Sequence, residues 1–304
     1  MGDAVLFPGQ GSQSAGMADA WTRHPAGAAT LREASDAMGR DVVAGCHDPA
    51  ALATTSFVQP ALLACGVAAF RVLRAEGLPD PVGVAGHSLG EFAALVAADA
   101  AALPAILELV VVRGEAMQAA GEARPGAMTA LLGLGAEDAQ PLVDEVRGED
   151  VLVVANENSP AQVVASGSVA AVDRLEALAK ERKTRAVRLP VAGAFHSELM
   201  RPAVEPVLDV LGRIELRDPA FPVAENVTGD LVTDAATLRE LLGRQVVSPV
   251  RWDTGIHALA TAGATRFVEA GTGDVLTKLM KRIEPEATAV AVGSPEAAAA
   301  LTVG

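Results

Sequence analysis

Val82-Gly83-Val84-Ala85-Gly86-His87-Ser88-Leu89-Gly90-Glu91-Phe92-Ala93-Ala94-Leu95 begins as a short apolar strand, turns on a Gly-x-Ser-x-Gly pattern, and continues as a helix to about Ala98. Strand, sharp turn and helix in that order lift a serine hydroxyl above the end of a parallel sheet. The turn needs residues without a bulky Cβ on both sides, and Gly86 and Gly90 supply them. A helix starting there adds unpaired N–H groups and a positive dipole end, both useful beside a developing oxyanion. Ser88 is therefore a candidate nucleophile. Its plainer use would be a helix cap, which by itself does not call for the strand before it.

Outward from that turn, apolar strands alternate with helix-length segments, the pattern of an α/β fold with a mainly parallel sheet. A helix is expected over Leu103–Ala120, and a late strand–helix–strand unit over Arg266–Glu269, Gly273–Ile283 and Ala287–Val292. The middle of the chain reads differently. Strand Met128–Leu134, helix Glu137–Val146, strands Val151–Ala155 and Gln162–Ser166, helix Val169–Arg182 and strand Arg185–Val191 give the order βαββαβ, the ferredoxin-like arrangement. Arg124-Pro125-Gly126 and Ala192-Gly193-Ala194 are the expected hinges. The expectation is a catalytic domain of residues 1–124 and 193–304 carrying an inserted small domain, 125–192, with a ligand groove between them.

The 304 residues are 50% hydrophobic and carry 24 basic against 38 acidic side chains, a formal charge of −14. That sign argues against nucleic acid and anionic membrane as partners. The N-terminus runs straight into Ala4-Val5-Leu6-Phe7 without a basic leader, so no secretory signal is expected. The apolar stretch Ala93–Val112 is interrupted by Asp99, Pro104 and Glu108, which argues against a membrane span. A soluble, cytoplasmic monomer is the expectation. Cys46 and Cys65 read as free buried thiols, and no Cys/His cluster suggests a metal.

A serine hydroxyl needs a base. Of the five histidines, His24 and His47 fall in polar connections, His257 sits mid-helix, and His87 adjoins Ser88 in a turn that should aim its ring away. His196, in Ala194-Phe195-His196-Ser197, is left as the candidate. The glycine-rich turn Phe7-Pro8-Gly9-Gln10-Gly11-Ser12-Gln13 fails the dinucleotide pattern, because Ser14 stands where its last glycine belongs. Either it is a plain tight turn, or the Gln10 N–H joins the Leu89 N–H as an oxyanion donor. Arg113 follows three valines on an apolar helix, with Met117 one turn on along the same face. Such an arginine snorkels, pairs with a glutamate, or grips a substrate carboxylate.

Gly9-Gln10-Gly11-Ser12-Gln13, Gly86-His87-Ser88-Leu89-Gly90-Glu91, Arg113-Gly114-Glu115-Ala116-Met117-Gln118 and Gly193-Ala194-Phe195-His196-Ser197 together resemble the malonyl-CoA:acyl carrier protein transacylase family. Gln59-Pro60-Ala61-Leu62, Asn158-Ser159-Pro160, Asn226-Val227-Thr228-Gly229 and Val275-Leu276-Thr277-Lys278-Leu279 extend the likeness across nearly the whole chain. The resemblance implies an α/β-hydrolase-like core with a ferredoxin-like insertion. It implies Ser88 as the acylated nucleophile, His196 as its base, Gln10 and Leu89 as the oxyanion hole, and Arg113 as the holder of the malonyl carboxylate. It makes the Gln245 backbone carbonyl the group that orients the histidine, and adds Met117, Gln59, Asn158 and Phe195 as substrate contacts. Phe195 resembles the malonyl-selective form of its motif. The chain departs from the family at Ala161, where glycine is usual, and at Glu225, where serine is common.

The implied reaction moves malonyl from malonyl-CoA to the phosphopantetheine thiol of an acyl carrier protein, without a cofactor. The carrier is expected to be a separate, acidic chain, so a local basic face is needed. Two clusters offer one: Lys180, Arg182, Lys183, Arg185 and Arg188, or Lys278, Lys281 and Arg282 on one helix face. The rival readings are a serine hydrolase that clears acyl groups and a scaffold without activity. A carboxylate clamp argues against the first, and the presence of Ser88, His196 and Arg113 against the second.

Overall fold

In the computed structural model, which describes residues 2–191 and 193–302, the ten strands among the described residues fall into two sheets. Along the chain they are β1 (Gly2–Phe7), β2 (Gly83–Gly86), β3 (Gly126–Leu132), β4 (Leu152–Ser159), β5 (Gln162–Ser168), β6 (Arg185–Arg188), β7 (Val223–Ala224), β8 (Leu231–Val232), β9 (Ala264–Ala270) and β10 (Thr288–Val292). The larger sheet has the order β10–β9–β1–β2–β7–β8. All its pairings are parallel except β7 with β8 at the edge.

β1 is central, and Ala4, Val5, Leu6 and Phe7 are all buried, as a parallel strand covered on both faces requires. Helices Thr55–Ala75, Gly90–Ala97 and Leu103–Ala123 contribute to the core on one side of the sheet. Helices Trp252–Thr261 and Val275–Ile283 pack on the other side. Thr55–Ala75 is long and apolar enough to cross a membrane, a stretch different from the Ala93–Val112 run that the sequence singled out; 89% of its apolar window is buried inside the protein. Its Phe57, Leu62, Leu63, Val67, Phe70 and Leu73 are core residues, each contributing about 1.5–3 kcal/mol by leaving water.

The smaller sheet has the order β4–β5–β3–β6 with every pair antiparallel, the ferredoxin-like topology. Its two faces follow the two-residue period of a strand. Ala127 and Leu131 of β3 pack with helices Ala136–Arg147 and Val169–Glu181, whereas Met128 and Ala130 belong to the main core. The expected strand Arg185–Val191 ends at Arg188. Pro190 lacks an N–H for the ladder, and Leu189–Val191 instead line a cavity. Ala192 of the expected second hinge lies outside the described residues, as do residues 1, 303 and 304.

The register that matters for the site pairs Phe7 with Gly86. It brings the ends of β1 and β2 level, so the loops that leave them meet above the carboxyl edge of the sheet, where open α/β sheets bind ligands.

Candidate active site

Backbone contact joins the two loops. The His87 N–H donates to the Phe7 carbonyl at 3.0 Å. A Cβ on Gly86 would fall 1.9 Å from the Gly90 carbonyl carbon, one on Gly90 would fall 2.0 Å from the Phe7 oxygen, and one on Gly9 would fall 2.4 Å from the His87 oxygen. Ser88, between the glycines, takes φ +51°, a left-handed conformation that a non-glycine residue adopts only when its surroundings enforce it. Asn226 does much of the enforcing: its Oδ1 accepts the Ser88 N–H at 2.7 Å, and its Nδ2 donates to the Gly86 carbonyl at 2.8 Å.

His196 also has positive φ, +58°, and is buried. Its Nε2 lies 2.7 Å from Ser88 Oγ. Its Nδ1 lies 3.1 Å from the backbone carbonyl oxygens of both Gln245 and Ser248. Carbonyls only accept, so Nδ1 must carry the hydrogen, and Nε2 is left with a lone pair facing the serine O–H. Burial, with the Arg113 charge second, pushes the His196 pKa down to about 3, against the pull of those carbonyls. The imidazole is therefore neutral at pH 7.

Arg113 is fully buried on the helix Leu103–Ala123. One Nη donates to Gln59 Oε1 at 2.7 Å; the other donates to Gln245 Oε1 at 2.9 Å and lies 3.3 Å from Ser88 Oγ. The guanidinium carbon stands 5.3 Å from the centre of the Phe92 ring. Nε has no partner, and among the described residues no carboxylate makes an ion pair with this cation. Burial lowers its pKa to about 10, which still leaves it charged at neutral pH. A buried cation held by neutral groups alone is poorly compensated, and an incoming anion would supply what is missing.

A cavity of about 380 Å³ opens beside Ser88. Gly9–Gln13, Gln59, His87, Ser88, Leu89 and Met117 form its floor; Met128, Ala130, Asn156, Asn158, Gln162 and Val164 of the smaller sheet form one wall. Leu189–Val191, Phe195, His196, Val275, Leu276 and Leu279 complete it. The N–H groups of Gln10 and Leu89 donate to no protein acceptor among the described residues. Thr272 Oγ1 lies 3.3 Å from Ser14 Oγ and 3.4 Å from the Ser12 carbonyl, bracing the glycine-rich loop from the β9 side.

Most of the residues singled out in sequence thus converge: Ser88, His196, Arg113, Gln245, Gln10, Leu89, Gln59, Met117 and Phe195. Arg113 and Gln245 lie behind the cavity and do not line it. Asn158 lines it, but its Oδ1 is 2.8 Å from His87 Nε2, which turns the His87 ring toward the smaller sheet. His24 caps a helix, His47 pairs with Asp19 and His257 with Glu284. Neither basic cluster lines the cavity. Lys180, Lys183, Arg185, Lys281 and Arg282 are exposed. Arg182 pairs with Glu145, Arg188 with Glu176 and Asp173, and Lys278 with Asp274, which lessens the free charge of both clusters.

Two groups escaped the sequence reading. Asn226 lay in a turn motif that gave no sign of reaching Ser88. Glu91 is fully buried beside Gln245, whose Nε2 donates to it and to the Ser88 carbonyl, the latter at 3.0 Å. Burial first, then Glu225, pushes the Glu91 carboxyl well above the usual carboxylate range. A glutamate within Gly90-Glu91-Phe92-Ala93-Ala94-Leu95 was the available signal, since such a residue is rarely buried without a purpose.

Comparison with known proteins agrees with this geometry. The family model described as acyl transferase domain matches residues 5–296. The malonyl CoA-acyl carrier protein transacylase of Bacillus subtilis is 40% identical over 298 residues, covering 96% of this chain and 94% of that protein. The Escherichia coli K12 transacylase is 39% identical over 301 residues, covering 98% and 97%. The structure of the Coxiella burnetii transacylase superposes with a TM-score of 0.95 at 36% identity, covering 100% of this chain and 97% of that one. A malonyl-transacylase solved in complex with a type II polyketide acyl-carrier protein superposes with a TM-score of 0.93 at 38% identity, covering 98% of each chain.

Proposed function

Because this chain belongs to the acyl transferase family, as a malonyl-CoA:acyl carrier protein transacylase, we propose a specific division of labour among its residues. The chain transfers malonyl groups from malonyl-CoA to acyl carrier protein, supplying fatty-acid or polyketide synthesis. The observation that carries the substrate assignment is the buried Arg113 cation, without an acid partner, 3.3 Å from Ser88 Oγ.

The malonyl carboxylate displaces the Gln245 carboxamide and takes a bidentate grip from Arg113. Ser88 Oγ attacks the thioester carbon as its proton passes to His196 Nε2, and the N–H groups of Gln10 and Leu89 receive the oxyanion. The carbonyls of Gln245 and Ser248 hold the Nδ1 proton of the imidazolium that forms. The tetrahedral adduct collapses, His196 returns the proton to the departing CoA sulfur, and a malonyl-serine ester remains. The phosphopantetheine thiol then gives its proton to His196, attacks the ester carbon, and leaves Ser88 reprotonated. Met117 and Phe195 bound the acyl group, Gln59 fixes Arg113, and Asn158 contacts the arm of the thioester.

We assign residues 125–192 to the small domain and 1–124 with 193–304 to the catalytic domain. The enzyme works in the cytoplasm as a monomer, with the carrier as a separate acidic chain. The cluster Lys278, Lys281 and Arg282 is the preferred dock, because the first turn of its helix lines the cavity. Mass spectrometry of the intact protein after incubation with malonyl-CoA tests the assignment. One added malonyl group, absent in Ser88→Ala and removed by carrier protein, is expected; an adduct that persists in Ser88→Ala overturns it.

A further inference from the structure

Three successive backbone N–H groups in the turn after β7 converge on two buried carboxylates. The Asn226 N–H lies 3.3 Å from Glu91 Oε1. The Val227 N–H lies 2.9 and 2.8 Å from the two carboxylate oxygens of Glu225, and the Thr228 N–H lies 3.0 Å from Glu225 Oε2. Glu225 is 1% exposed and Glu91 0% exposed. Between these anchors stands Asn226, whose carboxamide spans both ends of the sharp turn that holds Ser88.

The chemistry of the turn makes this more than local decoration. A buried carboxylate is costly unless several donors surround it, and Glu225 has two backbone donors on its own turn. Those contacts fix the peptide planes on either side of Asn226. The carboxamide of Asn226 is held with Oδ1 toward the Ser88 N–H and Nδ2 toward the Gly86 carbonyl. Ser88 in turn keeps its left-handed φ of +51°. We propose that Glu225 is a positioning residue for the acyl-transfer serine, acting through Asn226 to hold the nucleophile's backbone in its reactive conformation. The proposal rests on the reading of Ser88 as the acylated residue.

A carboxamide at 225 keeps the size and loses one acceptor. In Glu225→Gln, the remaining oxygen can still accept from Val227 and Thr228 at the Oε2 position, but the NH₂ group then lies against the Val227 N–H, donor against donor, and loosens the turn. Active-site titration with a fluorophosphonate counts competent serines, so rates of malonyl-serine formation can be expressed per reactive site and loss of folded protein drops out. Glu225→Gln should slow that rate on the order of ten- to a hundredfold, the scale of a nucleophile held slightly out of place. KM for malonyl-CoA should stay within about twofold, because Arg113 and the cavity walls are untouched. Asn226→Ala should lose a similar factor, and the double variant should lose little more than Asn226→Ala alone. Glu225→Asp keeps the charge on a shorter stem and should recover part of the rate.

Losses that multiply in the double variant, or an unchanged rate per site in Glu225→Gln, overturn the proposal. Where Glu225→Gln does not fold, the same cycle run with Glu225→Asp and Asn226→Ala decides. Ser88→Ala run alongside separates the two readings: an acyl adduct on that variant removes the premise, while its absence with an unaffected Glu225→Gln removes only the role of Glu225.

Discussion

Arg113 Nη2 lies 3.3 Å from Ser88 Oγ, so the buried cation stands directly behind the hydroxyl proposed to react. The distance ties selectivity to reactivity. An acyl group whose far end binds the guanidinium has its carbonyl set beside the serine.

Arg113→Ala should cut malonyl loading by the cost of a stranded buried carboxylate, about 3–5 kcal/mol, or on the order of a hundred- to several thousandfold. Acetyl loading should change far less. Rates of acyl-serine formation from the two acyl-CoAs make the comparison, and equal losses would remove the arginine from the carboxylate site.

With the His196 pKa pushed down to about 3, the base stays neutral well into the acid range. Malonyl-serine formation should therefore hold its rate from pH 8 to about pH 5, without the fall near pH 6.5 that an ordinary histidine gives. The same shift has a cost for folding. The unfolded chain takes up this proton near pH 6.5 and the folded one does not, so His196 favours unfolding increasingly as the pH drops from 6.5 toward 3. Stopped-flow loading across this range checks the first statement, and denaturant midpoints of wild type against His196→Asn check the second.

Gly86→Ala and Gly90→Ala should each destabilise the fold by more than about 3 kcal/mol, because the added Cβ meets backbone rather than a movable side chain. Gly39→Ala provides the contrast: its Cβ would have open space, and only the left-handed φ of +59° penalises it, by about 1 kcal/mol. Urea unfolding of the three variants should give that order.

Lys281→Glu with Arg282→Glu should raise KM for the carrier protein and flatten its dependence on salt, because both exposed cations sit in the last turn of the helix whose start lines the cavity. Reversal of Lys180 and Lys183 should have the smaller effect. The opposite ranking in steady-state transfer assays would move the dock to the smaller sheet.

The alternation of apolar strands and amphipathic helices made the smaller sheet and the core of the larger one legible, whereas the two-residue strands β7 and β8 at its edge are too short to carry a pattern. The elbow was legible because glycine spacing reports backbone crowding directly: Gly86 and Gly90 stand where a Cβ would strike the chain. Arg113 stood out through the valines before it. The end of β6 was misjudged by three residues, since the apolar run Leu189–Val191 reads the same in a strand or in a cavity wall. Asn226 and Glu91 were missed for a different reason. Their importance lies in contacts across more than a hundred residues of chain, to Ser88 and Gln245, and no local pattern encodes such a contact. Ion pairing on Arg182, Arg188 and Lys278 was likewise invisible, so both basic clusters looked stronger in sequence than they are in space.

The cavity draws its floor from one sheet and much of its wall from the other. Bond-making and the carboxylate clamp thereby lie in one part of the chain, and much of the wall facing the rest of the acyl donor lies in another. Met128, Ala130, Val164 and their neighbours can drift to suit a bulkier acyl donor or a different carrier arm, while the serine turn stays under its own strict constraints. A scaffold divided this way can be retuned by exchanging one wall, which makes the smaller sheet the natural place to begin redesigning which building blocks the enzyme accepts.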